Sequence, residues 1–280
     1  MRKKISLCLA AMLLNVSAWA GVQNDVPSCY AANPKIGHAA PATERELFVV
    51  VDQTTLLDQN LRASVLENTG RLVKPGNAFT IATFSSFSQG RYMAIENAGT
   101  LEVGLPEKER DNLAASALKS FDACMNGQFQ FAAKMVGGAL NKALSGASSS
   151  LAKSDVIASI KELSVRVKAS PAKDRIVFVV SDMLENSSVS SFYAAQNVRK
   201  VDPVKELAIV EKSQMFGDFG GARVFVLGAG IVSEESSKAK GVYRDPQAMA
   251  ALRDFWTQWF AKSNARLVEF GSPALMVPVQ

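Results

Sequence analysis

A single histidine, His38, is all the imidazole this chain holds, and no threonine occurs between Thr100 and Thr257. The first shortage removes most acid-base machinery, because a Ser-His-Asp or Cys-His arrangement would require the segment around His38 to fold over the body of the protein. We read His38 as a solvated loop residue. Cysteine is scarce too, at three residues, so one histidine and a few thiols supply no ligand set for zinc. Charge of one sign is also in short supply. The 31 basic side chains drop to 28 once Arg2, Lys3 and Lys4 are set aside with the N-terminal segment, which against 26 acidic ones leaves a net charge of +2. That balance gives no reason to expect a nucleic-acid partner. After the first twenty residues the longest apolar stretch, around Val224 to Val232, is interrupted by glycines and too short to span a membrane.

The first twenty residues themselves have a basic start, an apolar stretch from Ile5 to Val16, and Ala18-Trp19-Ala20 before Gly21. This is the layout of a secretory signal cut after Ala20. Cys8 lies in the middle of the apolar stretch, which argues against a lipid anchor. Export leaves two cysteines, Cys29 and Cys124, and an oxidising compartment favours their pairing. Two free thiols and an intermolecular bridge are the alternatives. With 48% hydrophobic and 20% charged residues overall, the remaining chain can bury one substantial core.

That chain reads as an irregular Pro/Asn-rich leader over residues 21–43 and one α/β domain over 44–280. Leu47 to Val51 form an uninterrupted apolar run, as expected of a parallel strand covered by helices on both faces, and it ends in Asp52. Leu57, Leu61, Val65 and Leu72 then recur at helical spacing up to Pro75-Gly76. A second strand follows over 78–84, and a third from Arg91 to Glu96 comes too soon for a helical crossover, so it should run antiparallel to the second. Residues 99–174 are mainly helical: Phe129, Ala132, Val136, Leu140 and Leu144 mark one apolar face, and Val156, Ile160, Leu163 and Val167 another. RIVFVVSD (175–182) repeats the opening design and delivers Asp182. A helix around Val204 to Lys212, a strand over 222–230, a helix starting at Asp245-Pro246 and a last short strand from Ala265 to Phe270 complete a six-stranded sheet. Trp256, Trp259 and Phe260 are at core spacing. The terminal PALMVPVQ either packs back on the sheet or adds to a partner's edge.

In this order of elements the chain resembles a von Willebrand factor A domain over residues 44–271. The resemblance implies a doubly wound, mostly parallel sheet with one antiparallel strand. It also implies a metal-ion-dependent adhesion site built from a D-x-S-x-S motif, a threonine in the second loop and an aspartate after the fourth strand. Asp52 matches the first acid, Thr54 keeps a hydroxyl where the first serine stands, and Asp182 matches the last acid. Leu56 replaces the second serine, and with no threonine available the second-loop oxygen would have to come from Ser116 or Ser120. The implied site is therefore degenerate: Asp52, Thr54 and Asp182 as ligands for weakly held Mg²⁺ or Mn²⁺, or else two acids capping helix N-termini.

The implied function is an exported binding module that meets another envelope or secreted protein, as part of an envelope, secretion or conjugation assembly. Its contact rim would be Asp52, Gln53, Thr54, Thr55 and Asp182, with Asp58 or Glu185 at the edge. The enzymatic rival is a metal-dependent hydrolase or phosphatase using Asp52 and Asp182. Phosphatases of the haloacid dehalogenase type, however, need a second acid where this chain has Thr54, and without it phosphoryl transfer lacks a proton donor. Gly217 to Gly221 precede a strand instead of joining strand to helix, the wrong geometry for a phosphate cradle.

Overall fold

The computed structural model describes residues 23–37, 42–88, 91–148, 154–194, 197–231 and 246–280. The expected signal segment, His38 and Asp245 lie outside them. Strands β1 (Arg45–Asp52), β2 (Asn77–Ser88), β3 (Arg91–Thr100), β4 (Asp174–Val180), β7 (Ala222–Leu227) and β8 (Ala265–Phe270) form one sheet in the order β3-β2-β1-β4-β7-β8. The short strands β5 (Tyr193–Ala194) and β6 (Asn197–Val198) pair only with each other. Every neighbouring pair in the main sheet is parallel except β2 with β3. The fold is therefore the expected doubly wound α/β sheet with one antiparallel strand.

Residues of opposite parity along β1 serve two cores. Leu47, Val49 and Val51 pack with α2 (Gln59–Gly70) and α4 (Ala115–Ser145), while Phe48 and Val50 pack with α5 (Val156–Ala169), α6 (Pro203–Lys212) and α7 (Pro246–Lys262). A strand buried on both faces has no room for polar alternation, which is why its sequence is a plain apolar run. Trp256, Trp259 and Phe260 are wholly buried in the second core. Ala132, Val136, Leu140 and Leu144 of α4 are buried as expected, but Phe129 is exposed, because Gln128 is the residue turned inward there, bonded to Glu102.

Two terminal segments are more ordered than their composition suggests. In the leader, α1 (Cys29–Ala32) and a 3₁₀ turn over Pro34–Ile36 sit on a small apolar cluster beside the short α3 (Glu107–Arg110) and the start of α4, and Cys29 is bonded to Cys124. At the other terminus the tail folds back: Val279 is buried, and its N–H donates to Asn68 Oδ1 on α2 at 2.9 Å.

The chain order reverses between β1 and β4. In open α/β sheets the crevice outside the carboxyl ends of such a strand pair is where ligands bind.

Candidate functional site

β1 ends in an acid, Asp52, and another, Asp182, stands two residues beyond the end of β4; each folds back on its own backbone. Asp52 Oδ1 accepts from the Thr54 N–H at 2.9 Å and the Thr54 hydroxyl at 2.6 Å. Asp182 Oδ1 accepts from the Leu184 N–H at 2.8 Å. Short polar side chains after a strand make such two-residue turns readily. The two turns are laced together. The Asp182 N–H donates to Thr55 Oγ1 at 3.0 Å, and the Ser181 hydroxyl donates to Asp52 Oδ2 at 2.7 Å while accepting from the Met183 N–H. Met183 itself adopts a left-handed conformation (φ 62°), with its carbonyl fixed by the Trp256 indole N–H at 2.9 Å. Ser154, just before α5, completes the ring, its hydroxyl 3.4 and 3.3 Å from the two Asp52 oxygens.

Asp52 is thus fully buried and surrounded by four neutral donors, with Asp182 buried beside it. Burial pushes the Asp52 carboxyl above its ordinary pKa, against the opposing hydrogen bonds from Thr54, Ser181 and Ser154. Asp182 is raised well above the usual range, first by burial and then by the charge of Asp52. Among the described residues neither acid forms an ion pair. A third acid, Glu185, is wholly buried at the start of α5, where it accepts from the Ile157 N–H at 2.8 Å; burial lifts it to about 8. Its other oxygen, Oε1, has no hydrogen-bond partner among the described residues. Tyr193, on β5, has its phenol pushed up by burial and by the charges of Asp182 and Asp52, which places it by the same rim.

Of the residues expected at the rim, Asp52, Thr54, Thr55 and Asp182 come together. Gln53 is turned away, its side chain donating to the Ala143 carbonyl of α4 at 2.9 Å. Asp58 is the N-cap of α2, bonded to the Leu61 N–H. Leu56 is exposed and brings no oxygen. Ser120 is bonded to Asn33 in the leader, about 35 Å along α4 from Ala143 at 1.5 Å per residue, and Ser116 lies one turn further still. The additional hydroxyls come from Ser154 and Ser181 instead. Ser181 could have been found as the residue preceding the matched acid, whereas Ser154 sits in a loop without a local signal.

No family model matches the chain, and no curated protein does. Solved structures that resemble it include the PilB minor pilin from Streptococcus sanguinis, at 11% identity and a TM-score of 0.44 over 83% of this chain and 58% of that one. Another is the pilus adhesin SpaC from Lactobacillus rhamnosus GG in its open conformation, at 11% identity and 0.31 over 81% of this chain and 30% of that one. The chain spans little more than half of the first and under a third of the second. Likeness this distant carries no functional argument.

Among the described residues no three of His, Cys, Asp and Glu gather as a ligand set. The donors that do gather are hard oxygens: carboxylates from Asp52 and Asp182 and hydroxyls from Thr54, Ser154 and Ser181. They fit a hard divalent cation that keeps part of its water shell. They suit a phosphoryl-transfer nucleophile poorly, because the residue two positions on is Thr54, whose hydroxyl donates to Asp52 itself and supplies no carboxylic acid to protonate a leaving group.

Proposed function

We propose that this protein is an exported recognition module of von Willebrand A type, and that its contact surface is the rim over the carboxyl ends of β1 and β4. One observation carries the reading: two buried acids stand at the topological switch point in turns that are hydrogen-bonded to each other through Ser181 and Thr55, with neutral donors around them. Such a pair must either hold a proton or receive a cation, since two adjacent buried carboxylates repel. Asp52 and Asp182 would hold a divalent cation together with oxygens from Thr54, Ser154 and Ser181, and the ion would neutralise both acids and supply a Lewis-acidic point for a partner's oxygen. The Cys29–Cys124 bond supports an oxidising compartment, hence an envelope or secreted partner.

The test is thermal melting of the exported chain in increasing Mg²⁺ or Mn²⁺. At roughly a hundred times Kd the midpoint should rise by about 5 to 10 °C, and Asp52→Asn should abolish the rise. Unchanged melting at millimolar metal would remove the cation from this account. Metal-dependent cleavage of a simple phosphoester, lost in the same variant, would assign the site to hydrolysis instead.

A further inference from the structure

The two edges of the sheet are finished differently. Outside β3 the leader runs alongside the strand: the Asp25 N–H donates to the Ala98 carbonyl at 2.7 Å, and the Asp25 and Asn24 side chains accept from the N–H groups of Ala98 and Thr100. Val26 closes over Gly99 so tightly that a Cβ there would lie 2.4 Å from it. Outside β8, no strand or segment among the described residues pairs with Ala265–Phe270. An unpaired edge is a template for another strand.

The charges along β8 indicate which strand. Across β1, β4 and β7 runs an alternating row in which Asp174 binds Arg45 at 3.1 Å on one side and Arg223 at 2.7 Å on the other. On β8 the register partner of Arg223 is another arginine, Arg266. The row therefore ends in two like charges side by side, an unfavourable pairing, and the place for the missing acid is the strand beyond β8. Neither Arg266 nor Glu269 has an ion-pair partner among the described residues.

A register shift also occurs within β8, so that Arg266 and Glu269 stand opposite Arg223 and Phe225. Those two β7 residues are two apart and share a face, so Arg266 and Glu269 share one as well. In an unbroken strand, residues three apart would lie on opposite faces. The bulge makes the edge self-complementary. About a two-fold axis through Leu267, with Val268 as the extra residue of the bulge, an antiparallel second copy sets its Glu269 across from Arg266 and its Arg266 across from Glu269.

We propose that β8 is a self-association edge, through which two copies of this chain join antiparallel and extend one sheet across the dimer. The reading is independent of any cation at the rim. Sedimentation velocity of the exported chain, from micromolar to several hundred micromolar, should show a concentration-dependent dimer. R266E and E269R should each weaken it by roughly tenfold or more, because two symmetry-related attractions become repulsions, and R266E/E269R together should restore it. Hydrogen exchange supplies a second readout, in which protection of the 266–269 amides rises with concentration. A wild-type chain that stays monomeric throughout overturns the proposal, including the case where the edge takes another protein's strand. A dimer indifferent to both reversals, or reversals that the double variant fails to rescue, overturns it equally.

Discussion

The two ends of the central sheet treat their acids in opposite ways. At the amino ends of the parallel strands Asp174 lies between the guanidiniums of Arg45 and Arg223, and Glu46 accepts from the hydroxyls of Thr80 and Ser170. Glu102 there is buried yet matched by Ser28, the Cys29 N–H and Gln128, in a corner that the disulfide closes. Each acid has its own partners. At the carboxyl ends, Asp52 and Asp182 are buried near each other with no basic side chain paired to them among the described residues, and there Glu185 Oε1 has no hydrogen-bond partner. One end is electrostatically finished within the fold, whereas at the other burial leaves the acids with a raised affinity for protons. That division, paired acids at one end and an unfinished cluster of them at the other, fits a doubly wound sheet, whose strand tips are where such folds bind ligands.

Breaking the finished end should have the largest effect where it is covalent. The disulfide spans 95 residues, so reducing it, or replacing both cysteines by serine, should cost about 4 to 5 kcal/mol in urea unfolding if chain entropy governs. A loss under about 1 kcal/mol would mean that the hydrogen bonds of Glu102 hold the leader by themselves.

The unfinished end should show itself in pH dependence. An acid whose folded pKa is raised contributes most below its unfolded value, and that contribution is lost as pH climbs to the folded one. For Glu185 the window runs from 4.5 to about 8. Wild type should therefore lose stability as pH rises through it, by about 3 kcal/mol from Glu185 alone between pH 4.5 and 7. Glu185→Gln should flatten the profile and leave the share due to Asp52 and Asp182, whose raised values give the same sign. A variant whose melting follows pH as steeply as wild type would contradict the burial argument.

The smallest effect belongs to Asp174→Asn. Its side chain is 31% exposed and its arginines 41% and 23%, so screening by water limits the loss to about 1 kcal/mol, and added salt should shrink it further. A loss above about 2 kcal/mol would show the charge row to be more buried in effect than its exposure suggests.

Much of this contrast can be located in the sequence and little of it can be evaluated there. The apolar runs ending in Asp52 and Asp182 placed both acids at strand tips, since a doubly covered strand leaves a plain signature in composition. Asp58, by contrast, looks like a rim residue until its bond to the Leu61 N–H shows it capping a helix. Gln53 follows Asp52 directly and yet leaves the site, because the C-terminal turn of α4 arrives beside it. Ser154 and Tyr193 carry no motif, and they reach the site only because the loops flanking α5 and β4 converge there.

By itself the sequence determined which strands are buried on both faces, where helices alternate with them, and that two of the strands end in acids. These are local properties, legible from periodicity within a dozen residues. Only the tertiary structure decided what each charge meets. Asp52 and Ser181 are 129 residues apart in the chain and 2.7 Å apart in the fold, and the energy of a buried carboxylate depends on the second distance alone.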